Sequence, residues 1–326
     1  MSVETTTPRI ATIIVNYRAA DLIIAHLDAM LTEQAAFPGS KIYIVDNASP
    51  EGDAEKLAAF VRDKHLDGQV CFMPERENGG FAKGNNAALR EILTEETPAD
   101  FVFLLNPDAY PRPGMLKTLF DFMSAHSQAG IAGAKLEGEN GEPQISAFRY
   151  FTALGEFANS SQTGLFYKLF SKQIIAPPQR DETYEEDWIC GAAALIRREV
   201  FDEIGLFDEA YFLYYEETDF MLRARRAGWQ TWYVHDARAV HLVGQSSGVT
   251  DGKTKDQVSP AYWFHSRSHY FRTNHGRVYG FLADIGWLAG SLLHAGKRVV
   301  TGKDASAILA NIRQFIRVNM QGGDAK

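Results

Sequence analysis

Four clusters in this chain combine residue types that can do chemistry. The first is Asp46-Asn47, which closes the apolar run KIYIVDN (41–47). A carboxylate in that place can accept hydrogen bonds from a nucleobase or a ribose, although Asp-Asn-Ala-Ser is equally ordinary turn chemistry. The second is ENGGFAKGNN (77–86), where glycines permit close backbone approach and amides at a helix start can meet a phosphate or ribose. Lys83 adds positive charge to it. The segment matches neither GxxxxGK(S/T) nor GxGxxG, so a tight turn leading into a helix explains it as well as a ligand loop does. The third is Asp108, which emerges from FVFLLNPDAY (101–110) two positions after Asn106. Such a carboxylate can hold a hard divalent cation that grips a diphosphate; beside Pro107 a solvated turn is the other reading. The fourth and densest is Glu216, Glu217 and Asp219 within GLFDEAYFLYYEETDFMLRARRAGW (205–229). Acids at a helix start complement its dipole, so a solvated first turn is one reading. The aromatic run AYFLYY before them supports another: enclosure raises carboxylate basicity and suits a general base. His241, in the apolar run RAVHLV (238–243), reads either as a core histidine or as a ligand.

The elements that must position these residues alternate regularly. Apolar runs at 10–17, 41–47, 70–74, 101–108 and 130–136 are expected as buried strands, with helices around 20–35, 52–64, 83–95 and 113–127. That alternation predicts an α/β fold with a largely parallel sheet covered by helices on both faces. Ligands of such sheets bind beyond the carboxyl ends of the strands, where the polar clusters fall. Residues 140–187 read as a long irregular insertion. Patterning resumes with WICGAAALIRR (188–198), a helix over 216–227 and strand-like runs at 230–236 and 238–243. The segment 244–261 reads as a loop. Ile308, Leu309, Ile312, Phe315 and Ile316 then recur at helical spacing with Arg313 and Arg317 between them, an amphipathic basic helix.

Bulk properties narrow the function. The chain has 326 residues, 45% hydrophobic and 23% charged, which excludes a disordered chain or a coiled coil. A net charge of −8 argues against a general nucleic-acid binder. The charge is uneven, however: residues 262–326 hold nine Lys/Arg against three Asp/Glu, while the first 261 residues carry a net −14. Only two cysteines, Cys71 and Cys190, are present and no CxxC, so neither a disulfide framework nor a zinc site is expected and a reducing compartment is favoured. No signal peptide is expected at MSVETTTPRIATIIVNY. The apolar stretch Val278 to Ala295 is broken by Asp284 and three glycines, so no transmembrane helix is expected where about 20 apolar residues are needed.

Taken together, the pieces resemble the family 2 glycosyltransferases, and most nearly the bacterial rhamnosyltransferases that build cell-envelope polysaccharides. The motifs are IVNY, VDNAS, NGGFAKGNN, LNPD, CGAAALIRR, FDEAYFLYYEETDFMLRARRAGW and the later histidine, in order from Ile10 to about Gly248. The resemblance implies a GT-A fold, a Rossmann-like mainly parallel sheet flanked by helices. The catalytic domain would be 1–248, with a linker and helical, basic C-terminal extension over 249–326. It implies that Asp46, helped by backbone near Val15 and Asn16, contacts the base of a donor nucleotide. It places Lys83 and Asn85 along the nucleotide, and makes Asp108 the last acid of a DxD-type motif whose first acid is here Asn106. His241 becomes the second protein ligand to a divalent cation, Mg²⁺ or Mn²⁺. Glu217 stands where this branch more often has Asp, as general base, with Glu216 the minor alternative. Trp188, Cys190 and Gly191 fall where the acceptor would bind, although a tryptophan before small residues is equally a packing residue.

The expected activity is inverting, metal-dependent transfer of a sugar from a nucleotide diphosphate donor to a saccharide or lipid-linked saccharide hydroxyl, with rhamnose from dTDP-rhamnose the leading donor. A sugar-phosphate nucleotidyltransferase and a catalytically silent sugar-nucleotide-binding scaffold are the alternatives. The first lacks support because NYRAADL, after the first strand, holds no Gly-rich basic loop. A cytoplasmic location is expected. The basic C-terminal helix has two readings: peripheral contact with the inner face of the cytoplasmic membrane, or packing against protein.

Overall fold

The computed structural model describes residues 8–242 and 258–321. Its first part alternates as expected: β1 (Ile10–Asn16), α1 (Ala20–Gln34), β2 (Lys41–Asp46), α2 (Asp53–Asp63), β3 (Val70–Pro74), α3 (Gly80–Thr94), β4 (Phe101–Leu105), β5 (Ala109–Pro111), α4 (Met115–Ala125) and β6 (Ala129–Glu137). Then come β7 (Ala147–Phe148), α5 (Ala153–Ser161), α6 (Gly164–Leu169), β8 (Tyr184–Glu185), β9 (Trp188–Ile189), β10 (Ala193–Arg197), α7 (Arg198–Ile204), α8 (Glu216–Arg226) and β11 (Gln230–His241). The chain closes with α9 (Ala261–Val300) and α10 (Ser306–Gln321).

The main sheet runs β3-β2-β1-β4-β10-β6-β11-β5, with β8 beside β11. Its β3-β2-β1-β4 part is parallel, and β10 enters antiparallel between β4 and β6. Both faces are covered, so neighbouring strand residues go to opposite cores. Ile10, Ile14, Ile42 and Ile44 pack with Leu27, Met30, Leu57 and Leu119 of α1, α2 and α4. Ala11, Ile13, Tyr43 and Val45 pack with Leu89, Ile92, Phe201 and Phe220 of α3, α7 and α8. This double burial is why the strands read as continuous apolar runs rather than as alternating ones. Strand order reverses between β1, which leads outward to β2, and β4 on its other side, and the crevice at that reversal is where such sheets bind ligands.

Several expectations change in detail. The run at 101–108 ends as a strand at Leu105; Asn106 to Asp108 turn, and β5 continues in a new direction to pair with β11. The runs at 230–236 and 238–243 are one strand, β11, whose register against β6 shifts between Val234 and Arg238. The segment 140–187 is not irregular throughout, because α5 and α6 form within it.

The C-terminal helices are packed rather than appended. Helix α9 bends at Gly276, whose backbone is left-handed (φ 84°, ψ 165°). The bend is clamped by the wholly buried Arg267, whose Nη1 donates to Asp284 Oδ1 at 2.6 Å and whose Nη2 donates to the Ala283 carbonyl at 2.8 Å, both beyond the bend. Its Nε also donates to Glu156 Oε2 of α5 at 2.5 Å. Helix α5 lies close against α9, since a Cβ at Gly286 would stand 2.5 Å from the Ala153 carbonyl oxygen. On α10, Ile308, Ile312 and Phe315 are buried, with the Phe315 ring on Trp287 and Phe264 of α9. Of the apolar stripe anticipated on the last helix, Ile308, Ile312 and Phe315 are spent on protein, while Leu309 and Ile316 stay exposed. Among the described residues no helix is long and apolar enough to cross a membrane.

Removing Arg267 strands the buried Glu156 and takes one of two partners from the half-buried Asp284, and losing one partner of a buried ion pair costs about 3–5 kcal/mol. Arg267→Ala should lower the urea midpoint by a corresponding amount, and a change under about 1 kcal/mol would show that the clamp is not structural.

Candidate active site

At the carboxyl ends of β1 and β2, Asn16 and Asp46 are both buried and joined by a 2.7 Å bond from Asn16 Nδ2 to Asp46 Oδ1. Asn16 Nδ2 also reaches Ser49 Oγ at 3.1 Å and Asp53 Oδ2 at 3.3 Å, while the Ser49 amide donates to Asp46 Oδ2 at 3.1 Å. Asn16 thus orients Asp46 instead of reaching outward. Asn47, to which the sequence assigned no separate role, organises the neighbouring loop. Its Nδ2 donates to Asn78 Oδ1 and to the Gly80 carbonyl, each at 3.0 Å, and its Oδ1 accepts from the Gly79 amide at 3.2 Å.

The ENGGFAKGNN segment is the start of α3 and is held from two sides. Gly80 has φ +80°, and a Cβ there would lie 1.8 Å from the Phe212 carbonyl oxygen; the same oxygen accepts from the Phe81 amide at 2.9 Å. Gly80 is therefore required by contact with the 205–217 loop. Lys83 is half-buried and ion-paired to Glu77. Asn85 is buried and donates back to the Phe81 carbonyl at 2.9 Å. Its neighbour Asn86 ties α3 to the FDE segment, donating to the Phe207 carbonyl at 2.8 Å and accepting from the Phe207 amide at 3.1 Å. Two amides amid Ala82, Ala88 and Leu89 on a buried helix face were the signal for that second tie.

On the other side of the crevice, β5 pairs antiparallel with β11 so that His241 stands opposite Ala109. This places His241 Nε2 3.5 Å from Oδ1 of the buried Asp108, and the Leu242 amide donates to the Asp108 carbonyl at 2.9 Å. One carboxylate and one imidazole converge, hard and borderline donors that suit Mg²⁺ or Mn²⁺. Among the described residues no group of three or more His, Cys, Asp or Glu could enclose an ion. Two protein ligands with the remaining positions left to water and a diphosphate fit ions that bind mainly through substrate phosphates.

Glu216 and Glu217 open α8 directly after Tyr214 and Tyr215, which both hold left-handed backbone (φ 69° and 71°). Bulky residues adopt that conformation only when their surroundings enforce it. Here α9 does so. The buried Tyr215 ring lies 4.4 Å from Phe151, 5.5 Å from Tyr270 and 6.0 Å from Trp263, and Ser266 Oγ donates to the Leu213 carbonyl at 3.0 Å. Asp219 is fixed by Asn274 Nδ2 at 2.6 Å, Arg223 Nε at 2.8 Å and the Tyr211 hydroxyl at 3.2 Å. Asp219 is thus a structural acid, distinct from the two before it.

Glu217 is half-buried, and its Oε1 accepts from the Gly191 amide at 2.8 Å. Burial pushes its carboxyl up to about 7, while the Gly191 amide and His241 pull the other way. Glu216 is buried deeper; burial, and then the charge of Glu217, lift it well above the usual carboxylate range. Near neutral pH the pair therefore carries one negative charge at most, and Glu217 is the member open to the crevice. Cys190 links the two halves of the site. Burial raises its thiol, and the carboxylates of both Glu217 and Asp108 act on it. Trp188 is pinned, stacked on Phe148 at 4.4 Å with its Nε1 donating to the Arg149 carbonyl at 2.9 Å. Gly191 has a role of its own, since a Cβ there would sit 2.2 Å from Glu217 Oε1.

A sheet of this order, with a carboxylate–imidazole pair and an elevated carboxylate facing one switch-point crevice, is that of a GT-A glycosyltransferase. The model of the family described as "Glycosyltransferase like family 2" matches residues 8–273, and the chain belongs to that family. The N-acetylglucosaminyl-diphospho-decaprenol L-rhamnosyltransferase of Mycobacterium tuberculosis is 28% identical over 256 residues, 76% of each chain. The dTDP-rhamnosyl transferase RfbF of Shigella flexneri is 24% identical over 284 residues, 86% of each chain. Among solved structures, a mannosyltransferase from Pyrobaculum calidifontis in complex with GDP-Man and Mn²⁺ aligns with TM-score 0.53 and 17% identity, over 97% of this chain and 82% of that one. The family match includes the first half of α9, which braces the Tyr214–Tyr215 turn.

Gly191→Ala should displace Glu217 while leaving the nucleotide side untouched. Shifts near 1 Å can cost about 10²-fold in rate, so kcat should fall by about that factor with donor affinity within about twofold of wild type. Unchanged kcat would show that the Gly191 amide does not set the carboxylate.

Proposed function

We propose that this enzyme transfers a sugar from a nucleotide diphosphate donor to a hydroxyl of a saccharide or lipid-linked saccharide, in one inverting displacement. Rhamnose from dTDP-rhamnose is the donor favoured, because the relatives from M. tuberculosis and S. flexneri are named for rhamnosyl transfer. The M. tuberculosis relative's name also specifies a diphospho-decaprenol acceptor, which supports a lipid-linked one here. We read it as a cytoplasmic enzyme, in keeping with two free cysteines far apart in sequence. The observation that carries the proposal is Glu217, a carboxylate near neutrality held on the Gly191 amide and facing the crevice that Asp108 and His241 close.

The chain's own groups then have distinct tasks. Asp46, oriented by Asn16, serves the base of the donor nucleotide, and the start of α3 with Lys83 and Asn85 lies along the ribose and phosphates. Asp108 and His241 would hold a divalent cation beside the diphosphate. When bound, that cation neutralises charge accumulating on the departing phosphate. Glu217 accepts the proton of the acceptor hydroxyl. The freed oxygen forms its bond to the anomeric carbon from the face opposite the diphosphate, which leaves with the electron pair of the broken bond. One displacement inverts the centre. Burial and the neighbouring charge of Glu217 disfavour a charge on Glu216, so Glu217 is the member of the pair assigned as base.

Base catalysis by a positioned group is worth about 10²–10⁴-fold. Glu217→Gln should lose activity by that factor while binding donor normally, and wild-type turnover in this variant would overturn the assignment. Asp108→Asn should instead weaken Mn²⁺-dependent donor binding, read by calorimetry with a panel of nucleotide sugars. A silent scaffold would bind donor yet show neither transfer nor hydrolysis with any acceptor.

The base must be ionised to act. Since its carboxyl lies at about 7, kcat/KM should fall roughly tenfold per pH unit below that point. A profile flat down to pH 5 would place the base elsewhere.

A further inference from the structure

Beyond Gly276, α9 presents an apolar stripe that nothing among the described residues covers. Val278, Phe281, Leu282, Ile285, Leu292 and Val299 are between 48% and 77% exposed. They fall on one helix face at spacings of three and four, and the face is completed by Ala289 and Gly296, also exposed. No charged residue interrupts it. From Val278 to Val299 it is ~33 Å long at 1.5 Å per residue. The opposite face is occupied by α5 and α10, so the stripe is not surplus core left by a missing neighbour. A continuous exposed apolar strip of this length marks an interaction surface.

Charge decides which partner fits. Arg277 precedes the stripe, Lys297 and Arg298 flank its last turn, and Lys303, Arg313 and Arg317 lie on the following turn and α10. Residues 277–321 hold these six cations and only two acids. Neither acid is available: Asp284 is bound to Arg267 and Arg272, and Asp304 accepts from the Ser306 amide and hydroxyl. A second copy of the chain docked on this stripe would meet like charge in either direction. Antiparallel, Arg277 would face Lys297 and Arg298; parallel, each cation would face itself. An anionic bilayer surface offers apolar depth for the stripe and negative headgroups for its basic surroundings. Elsewhere on the surface, α6 also exposes Leu165 and Leu169 beside Lys168, with its Phe166 packed on Phe157 of α5.

We propose that the outer face of α9 from Val278 to Val300 is a peripheral docking surface for anionic lipid bilayers, with the helix lying along the interface. This surface is separate from the crevice and from the identity of the donor, so its test uses neither substrate nor turnover. Full-length protein should sediment with vesicles of phosphatidylcholine containing 30% phosphatidylglycerol. Binding to pure phosphatidylcholine vesicles, or to the mixed ones at 0.5 M salt, should be at least about tenfold weaker. Leu282→Glu with Ile285→Glu, both at exposed positions, should weaken binding to the mixed vesicles at least about tenfold, with circular dichroism and donor binding unchanged. Lys297→Glu with Lys303→Glu should abolish the preference for anionic vesicles. The proposal is overturned if wild-type protein stays in solution with the mixed vesicles, or if the Leu282/Ile285 variant binds them as wild type does. It is also overturned if light scattering shows a dimer that this variant dissociates while vesicle binding is absent, which would give the face to a second copy.

Discussion

Two adjacent carboxylates at the start of one helix are the constraint on which the rest of this structure turns. Glu216 and Glu217 are withdrawn from water next to each other, which disfavours charge on both and lifts both titrations. A base working near neutral pH requires that cost. It also requires a backbone that aims Glu217 into the crevice while Glu216 turns into protein. Two consecutive tyrosines in left-handed conformation supply the aim, and neither would hold it alone. The aromatic packing of Tyr215 against Phe151, Trp263 and Tyr270 is therefore part of the site, although none of those rings faces the crevice.

The same logic explains why the nucleotide side and the base side are interlocked. Gly80 and Phe212 meet backbone to backbone, and Asn86 bonds both amide and carbonyl of Phe207. The start of α3, which the proposed mechanism gives to the donor, thus shares a boundary with the loop that presents Glu217. Movement of one without the other would break buried hydrogen bonds, each of which costs about 1–3 kcal/mol when a partner is left unsatisfied. The start of α3 and the 205–217 loop are in this sense a single arrangement.

Much of this was legible in the chain. Strands buried on both faces announce themselves as apolar runs, and polar residues follow them: Asp46 ends β2 and Asp108 stands in the turn after β4. What the sequence hid has physical reasons. The burial of Asn16 and Asn85 depends on partners 30 residues away or one helical turn back, which spacing does not reveal. Gly191 looked like part of a small-residue acceptor wall; only the three-dimensional approach of Glu217 shows that its missing side chain makes room for a carboxylate. Helix α5 has a mixed, weakly patterned sequence because much of its surface is taken by close contact with α9 rather than by a single apolar stripe. Tyr214 and Tyr215 give no sequence signal of left-handed backbone, since that conformation is imposed by tertiary packing against their preference.

Helix α9 joins two unlike tasks in one element, and Gly276 is what separates them. Before the bend its side chains are aromatic or polar and spent inward: Trp263 and Tyr270 on Tyr215, Ser266 on the Leu213 carbonyl, Asn274 on Asp219. Past the bend the phase of the helix changes and apolar residues turn outward. A straight helix would have to satisfy both patterns in a single register. The bend removes that conflict, and a bend of this kind needs a rigid hold if the braced turn is to stay fixed. Arg267 provides it by reaching from the inner half to Asp284 and the Ala283 carbonyl of the outer half while gripping Glu156 of α5. Burying that guanidinium beside two carboxylates is costly in desolvation, which its bonds on both sides of the bend offset. Its bonds join the two halves of α9 across the bend, and the inner half carries the residues that brace the Tyr214–Tyr215 turn.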